Sequence, residues 1–268
     1  LDLEAIATEA KAFKVPFIVD NTVATPYLLN PIQYGADIVI HSLTKYITGN
    51  GTSLGGVIID AGNFDWSNGK FPEFTEPSAG YHGLKYYEVL GAASFIAKVR
   101  IEGLRDLGAS LSPFNAFQII QGLETLAIRI KKHSENALEL AKWLQKRPEV
   151  AWVNYPGLIS SKYYDLAQEY LPEGQSGIVT FGLKGGYEAA KKVADETQFF
   201  SLLANIGDTK SLIIHPASTT HQQLSEEQQI TTGVTKDLIR LSVGLEDIED
   251  LKADLQSVFE KLPVQNLV

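Results

Sequence analysis

Short, continuously apolar runs recur in the first part of the chain, and they constrain the fold more than any other feature. They occupy residues 15–19, 36–40 and 55–59, with loop or helical sequence between them. Strands that are apolar on both faces belong to sheets that are covered on both sides, as in α/β proteins. We therefore predict an α/β fold for this part of the chain.

The pattern becomes helical further along. Residues 113–146 carry apolar side chains at helical spacing, and Gly122 predicts a break between two helices. The remainder alternates helices with short predicted strands at residues 150–153, 178–183, 211–214 and 238–243. We predict a large domain over residues 1–121, with a mostly parallel sheet, and a smaller C-terminal α+β domain over residues 122–268.

Two helix starts have their own signals. Ser225-Glu226-Glu227-Gln228 is a capping-box pattern, in which a Ser and a residue three positions later satisfy each other's backbone N–H groups. Residues 3–13 already show one apolar helical face, so the chain begins inside an amphipathic helix. From this we expect a fragment or a trimmed product of a longer protein.

Charge and composition exclude several classes of partner. The formal net charge of −9 argues against nucleic acid or an anionic membrane as the main partner. Cys is absent, which excludes disulfides and thiolate metal sites, and the five His residues lack metal-ligand spacing. No apolar run approaches the roughly 20 residues that span a bilayer. We expect a soluble, cytoplasmic protein without a metal.

The ends of two predicted strands carry candidate catalytic residues. One strand ends at Asp20 and the other leads into Ser42, Thr44 and Lys45. Ligands of open α/β sheets bind beyond the carboxyl ends of strands, where these side chains would share a crevice. A pyridoxal 5'-phosphate site needs such a set: a Lys to form a Schiff base, an Asp at the pyridine nitrogen, and hydroxyls at the phosphate. Each residue alone has an ordinary interpretation, as a solvated Lys or a turn Asp.

The chain resembles the Cys/Met-metabolism family of pyridoxal-phosphate enzymes, which includes cystathionine synthases and lyases, methionine lyases and O-acetylhomoserine sulfhydrylases. The resemblance spans almost the whole chain. It is carried by Val19-Asp20-Asn21-Thr22, Gly35-Ala36-Asp37-Ile38-Val39, His41-Ser42-Leu43-Thr44-Lys45-Tyr46, Leu123-Glu124-Thr125-Leu126, His215-Pro216-Ala217-Ser218-Thr219-Thr220-His221 and Arg240-Leu241-Ser242-Val243-Gly244-Leu245-Glu246.

This resemblance implies a fold-type I (aspartate-aminotransferase-like) transferase. It also implies Asp20 at the pyridine nitrogen, Ser42 and Thr44 at the phosphate, and Lys45 as the Schiff-base lysine and catalytic residue. It implies a homo-oligomer, a dimer of dimers. Family members have a further amino-terminal segment that supplies phosphate-binding and ring-stacking groups, which we expect to be missing here.

Arg240 has two interpretations. Strand alternation places Ile239 and Leu241 on one face and Arg240 on the other, which is usual for a surface Arg. A guanidinium can also hold a carboxylate through two parallel hydrogen bonds. The resemblance favours the second interpretation and assigns the substrate α-carboxylate to Arg240.

The loop from Asn205 to Ser211 resembles the substrate loop of the family, in which Asn205 helps to hold the carboxylate. Relatives that act on cystathionine commonly carry an acid where Lys210 stands, although Lys210 could be a plain surface residue. The resemblance therefore implies a sulfhydrylase, with a small amino-acid substrate, O-acetylhomoserine, and sulfide, and with homocysteine as product.

Three alternatives stay open. A cystathionine or methionine γ-lyase would eliminate without adding sulfide. Gly51-Thr52-Ser53-Leu54-Gly55 matches the nucleophile pattern of serine hydrolases, but a loop precedes it and a strand follows, whereas that motif needs a strand before and a helix after. The chain could also be a non-catalytic fragment. His215 and His221 are expected to be structural or loop residues, and the alternative places their loop near the cofactor.

Overall fold

The strands of residues 1–263 form two β-sheets, of which the first is three-stranded. The computed structural model describes residues 1–263. Its first sheet has the order β1–β2–β3, with β1 at Ile18–Asp20, β2 at Ile38–Ser42 and β3 at Gly56–Asp60. β1 and β2 are parallel, with Asp20 opposite Ile40, whereas β3 is antiparallel to β2. The predicted strands are thus present, and the sheet within the described residues is mixed, with one parallel pairing. The prediction that all three are buried is wrong for β1 and β3, because within the described residues only β2 is covered well, and Ile18 and Ile58 are exposed.

Short helices surround this sheet. α1 is Leu3–Ala12, and the side chain of Asp2 caps it by accepting the backbone N–H of Ala5 at 3.0 Å. The other helices of this part are α2 (Thr25–Leu28), α3 (Pro72–Thr75), α4 (Tyr86–Leu90) and α5 (Ser94–Lys98), with π-helical segments at Leu43–Ile47 and Val99–Asp106. Leu43–Ile47 directly follows β2, so the end of that strand leads straight into the segment that contains Lys45.

The second sheet is five-stranded and mostly antiparallel, with the order β4–β5–β8–β7–β6. Only the short pair β6–β7 is parallel. Its strands are β4 (Val150–Asn154), β5 (Ile178–Leu183), β6 (Ser201–Leu202), β7 (Leu212–Ile214) and β8 (Leu238–Ser242). The strands predicted at residues 150–153, 178–183, 211–214 and 238–243 therefore correspond to β4, β5, β7 and β8.

The main hydrophobic core lies where helices cover this second sheet. Leu140, Phe181, Ile239 and Leu255 are fully buried there. Complete burial of an aliphatic or aromatic side chain contributes about 1.5–3 kcal/mol. The helices of this part are α7 (Leu126–Leu144), α8 (Tyr164–Tyr170), α9 (Gly186–Glu196), α10 (Glu226–Thr231) and α11 (Ile248–Phe259). α10 begins with the predicted capping box, in which both hydrogen bonds between Ser225 and Gln228 form.

The helical connection between the two sheets differs from the prediction in one respect. α6 runs over Pro113–Glu124 and contains Gly122, and the break before α7 falls at Thr125. Gly122 is needed for packing instead, because a Cβ there would lie 2.7 Å from the backbone oxygen of Ile47. The domain boundary at residue 122 stays a prediction, and the last five residues of the predicted second domain lie outside the described range. Over residues 1–263, no helix combines the length and apolarity that crossing a bilayer requires.

Candidate active site

Hydrogen bonds join the carboxyl ends of β1 and β2. Asp20 is exposed at the end of β1, and its Oδ1 accepts the backbone N–H of Thr22 at 3.0 Å. The Thr22 hydroxyl in turn accepts the backbone N–H of Ser42 at 2.8 Å. Since the two strands are parallel neighbours, Asp20 and the segment that follows Ser42 leave the same edge of the sheet. The linking role of Thr22 had no signal in the sequence beyond its place beside Asp20.

Lys45 occupies an irregular position in the π-helical turn after β2. Its backbone angles, φ −90° and ψ −128°, are non-helical. Its amine donates a hydrogen bond to the side-chain oxygen of Asn205. Burial lowers the pKa of Lys45, and the positive charge of Arg240 lowers it further. A larger fraction of this amine is therefore uncharged, and so nucleophilic, than in a solvated lysine.

Arg240 reaches the same place from the second sheet. It lies on β8, where its neighbours Ile239 and Leu241 are fully buried and Arg240 itself is half-buried, as strand alternation predicts. Its Nη2 donates to the backbone oxygen of Asn205 at 3.2 Å. Asn205 therefore contacts both cations, Lys45 through its side chain and Arg240 through its backbone. Because two positive charges lie close together here, the site favours an anionic ligand such as a carboxylate.

The loop that follows Asn205 packs directly on the lysine turn. Gly207 has a φ of +75°, and a Cβ there would lie 2.6 Å from the backbone nitrogen of Tyr46. Its N–H donates to the Ser242 hydroxyl at 2.9 Å, and Thr209 N–H donates to the Gly49 oxygen at 2.8 Å. Hydrogen bonds to Ser242 and to Gly49 thus hold the loop in place. Lys210 is exposed, so its charge acts through solvent.

Ser42 and Thr44, the predicted phosphate ligands, lie on either side of Leu43. Ser42 is half-buried and uses its backbone N–H toward Thr22. The Thr44 hydroxyl accepts the N–H of Gly55 at 3.1 Å and donates to its oxygen at 3.3 Å. It therefore ties the lysine turn to the residue before β3, and a phosphate would compete for its proton. Both phosphate roles stay predictions.

The residues singled out for other chemistries have structural partners. The Ser53 hydroxyl is buried and donates to the side chain of Gln118, and β3 rather than a helix follows it. The ring nitrogens of His215 contact the Ser218 hydroxyl and the Lys236 backbone oxygen, both at 2.8 Å. Among residues 1–263, no group of three or more His, Cys, Asp or Glu residues could hold a metal ion.

The donor set fits a cofactor that carries an aldehyde and a basic ring nitrogen. Lys45 offers an amine with a lowered pKa, and Asp20 offers a carboxylate at the neighbouring strand end. Arg240 offers a cation for the carboxylate of an amino acid beside that amine. These are the groups that pyridoxal phosphate chemistry requires.

Comparison with known proteins points in the same direction. The family model described as "Cys/Met metabolism PLP-dependent enzyme" matches residues 1–260. An O-acetyl-L-homoserine sulfhydrylase from Leptospira meyeri is 55% identical over 98% of this chain and 61% of its own length. A homocysteine/cysteine synthase from Saccharomyces cerevisiae is 47% identical over 97% of this chain and 61% of its own length.

A solved structure shares the fold. The crystal structure of a protein described as an O-acetylhomoserine (thiol)-lyase from Campylobacter jejuni superposes with a TM-score of 0.92 at 49% identity. The match covers 97% of this chain and 62% of that one, which contains N'-pyridoxyl-lysine-5'-monophosphate. This likeness confirms the predicted fold class. The chain spans about three fifths of the length of the relatives that it matches.

Proposed function

Since the chain belongs to the Cys/Met metabolism family of PLP-dependent enzymes, we propose that its full-length protein converts O-acetylhomoserine and sulfide into homocysteine and acetate. The Leptospira meyeri relative is named for a sulfhydrylase of O-acetyl-L-homoserine, and the yeast relative for homocysteine synthesis. The reaction exchanges the acetate on the γ-carbon of the amino acid for sulfide.

One observation carries the proposal: Lys45 and Arg240 meet at Asn205. An α-amino acid carries its amine and its carboxylate on one carbon, so a site for it needs a carboxylate-binding cation close to the lysine that handles the amine. Arg240 satisfies that requirement, because its charge acts on the pKa of Lys45. Lys45 lies in the turn that follows a strand of the first sheet, and Arg240 lies on a strand of the second, so folding brings the two residues together.

Lys45 would hold the cofactor, with Asp20 at the ring nitrogen and Ser42 and Thr44 at the phosphate. When bound, pyridoxal phosphate supplies an electron sink that stabilises negative charge on the substrate carbons. Asp20 keeps the ring nitrogen protonated through its negative charge. These assignments follow the strand-end positions of the residues and the lowered pKa of Lys45.

Lys45 would also move the protons of the reaction. Its Nζ, with a pKa below the ordinary lysine value, can take a proton from one substrate carbon and return it to another. Asn205 fixes the amine through its side-chain oxygen. Arg240 would hold the substrate α-carboxylate by two parallel hydrogen bonds and so orient the carbons toward Lys45.

Product analysis of the full-length protein tests the proposal. With O-acetylhomoserine and sulfide we expect homocysteine and acetate in equal amounts, and a higher kcat/KM than for cleavage of cystathionine. A 2-oxo acid formed equally with and without sulfide would instead identify a γ-lyase. Unchanged activity in Ser53→Ala, in protein that binds the cofactor, would exclude a hydrolase that uses Ser53, and folded full-length protein that takes up no cofactor would favour a non-catalytic role. The homo-oligomer and the cytoplasmic location remain predictions from the sequence.

A further inference from the structure

Arg129 is a buried cation whose partners are all uncharged. It lies on α7 with 7% of its surface exposed. Nη1 donates to the Tyr46 oxygen at 2.6 Å, and Nη2 donates to the oxygens of Ile47 at 2.9 Å and Gly122 at 2.7 Å. Nε donates to the Thr125 hydroxyl at 3.1 Å. Within residues 1–263, the guanidinium forms no ion pair.

The three carbonyls that Arg129 binds lie near the ends of two helical segments. Gly122 is in the last turn of α6, and Tyr46 and Ile47 are the last residues of the π-helical turn. Carbonyls at such ends carry partial negative charge. The Gly122 oxygen also accepts the backbone N–H of Thr125 at 3.3 Å. A planar guanidinium can bridge several such carbonyls at once, which a lysine ammonium on its flexible stem does less well. Arg129 therefore joins the lysine turn to α6.

Gly122 lets the two segments approach closely. A Cβ at Gly122 would collide with the backbone of Thr48 and would lie 2.7 Å from the Ile47 oxygen. The contact is therefore backbone to backbone, with the guanidinium of Arg129 beside it. The peptide groups held in this way begin at the residue directly after Lys45.

We propose that Arg129 is a positioning residue that sets the direction in which Lys45 presents its amine, because it holds the Tyr46 and Ile47 carbonyls against α6. Lys45 leaves the helical conformation in the middle of its turn, so the direction of its side chain depends on the peptide groups that follow. Arg129 therefore affects the site indirectly, by fixing the position of Lys45 relative to α6. The inference rests on the proposed role of Lys45 as the cofactor lysine.

The test compares four full-length proteins: wild type, Arg129→Lys, Thr125→Val and Lys131→Gln. Arg129→Lys keeps the positive charge and loses the planar set of guanidinium N–H donors. Thr125→Val removes one partner of Arg129 at an exposed position and so should fold. Lys131→Gln is the matched control, because it removes an exposed cation from the same helix. The readouts are the rate at which pyridoxal phosphate attaches to cofactor-free protein and the visible circular dichroism per bound cofactor, well below each melting temperature.

We expect Arg129→Lys to slow attachment about tenfold or more and to change the visible circular dichroism, since a small displacement of a reacting group costs that much in rate. Thr125→Val should shift both readouts in the same direction by less, and Lys131→Gln should match wild type. Wild-type rates and spectra in Arg129→Lys, despite a lower melting temperature, would overturn the proposal. If Arg129→Lys does not fold, Thr125→Val decides in the same way.

This test separates failure of the inference from failure of the proposed function. Borohydride reduction of the wild type and peptide mapping show which lysine carries the cofactor. A label on another lysine would refute the proposed function and this inference together. A label on Lys45 with unchanged Arg129→Lys and Thr125→Val proteins would refute the positioning role alone.

Discussion

Asn205 couples the two halves of the candidate site. Its side chain accepts a hydrogen bond from Lys45, which is 160 positions away in sequence, and its backbone oxygen accepts one from Arg240. A change in the position of either cation can therefore shift the other through Asn205. Burial is the larger cause of the lowered pKa of Lys45, and binding of a carboxylate at Arg240 would reduce the smaller one, the repulsion by Arg240.

Asp20→Asn tests the ring-nitrogen role. The substitution keeps the size of the side chain and removes its charge, so the cofactor ring would lose the partner that keeps its nitrogen protonated. We expect kcat to fall by about two orders of magnitude or more, the scale seen when one electrostatic group is removed, while cofactor is still bound. Steady-state kinetics together with cofactor content measure this. Near-normal turnover would place the essential carboxylate elsewhere.

Arg240→Lys tests the carboxylate role. The variant keeps the positive charge and loses the planar pair of donors, so one charged hydrogen bond, worth about 1.5–3 kcal/mol, is lost. We expect kcat/KM for O-acetylhomoserine to fall roughly 10- to 100-fold, with the absorption of the bound cofactor retained. An unchanged kcat/KM in Arg240→Ala would contradict the assignment.

The local sequence pattern identified some of the site residues as candidates and missed others. Asp20 and Lys45 were singled out because they lie at or just after the ends of predicted strands, and the family resemblance then gave them their roles. Strand alternation alone favoured a surface position for Arg240, and only the resemblance assigned it to the substrate carboxylate. The contact of Asn205 with Lys45 and that of Arg129 with Tyr46 join distant parts of the chain. In sequence, Arg129 looks like an ordinary residue of an amphipathic helix, so nothing indicated that it is buried.

Among the elements, strand ends and the capping box were predicted more closely than the helix junction. Gly122 appeared to be a helix breaker because glycine disfavours helices, but the close approach of the Ile47 backbone is what requires it. The antiparallel pairing of β3 was not predicted, because apolar runs indicate where strands lie and leave their direction open.

The loop after Asn205 is the element that we expect to influence the choice of reaction. Lys210 would repel the distal ammonium of cystathionine, where an acid would attract it. Because Lys210 is exposed, the effect should be about 1 kcal/mol, roughly fivefold. We expect Lys210→Glu to raise relative kcat/KM for cystathionine by that factor. A mutant with unaltered preference would leave the sulfhydrylase proposal in place and remove Lys210 as a cause of specificity.

At the scale of the whole molecule, His133 connects the lysine turn to the second sheet. It lies on α7, its Nδ1 donates to the Val243 oxygen at 2.6 Å, and its ring contacts Tyr46 edge-on at 5.2 Å. Burial lowers the pKa of His133 to about 4, and the charge of Arg129 acts in the same direction. Folding therefore keeps this imidazole neutral under conditions in which the unfolded chain protonates it.

This predicts a pH dependence of stability. Below the ordinary histidine pKa of about 6.5, the unfolded chain binds a proton that the folded chain does not bind until near pH 4. Above about pH 6.5 the titration of His133 does not affect the free energy of unfolding. As pH falls from there toward 4, protonation of the unfolded chain lowers that free energy by at most about 1.4 kcal/mol per pH unit. Urea unfolding at pH 7, 6 and 5 should show a flatter profile for His133→Gln.

The control for that experiment is His82→Asn. His82 is exposed, and Asn readily adopts the positive φ of 54° found at this position. Every other ionisable group is the same in wild type and His133→Gln, so the difference between their two profiles isolates His133. Parallel profiles for wild type and His133→Gln would show that this group titrates alike in the folded and unfolded chains.

Reduction of the cofactor-loaded full-length protein with borohydride, followed by peptide mapping, shows which lysine carries the cofactor. The reduced link between lysine and pyridoxyl group is stable, so its position in the sequence can be measured. We expect the pyridoxyl group on Lys45, in the turn that follows β2. A pyridoxyl group on any other lysine, or none in protein that binds the cofactor, would contradict the assignment of Lys45.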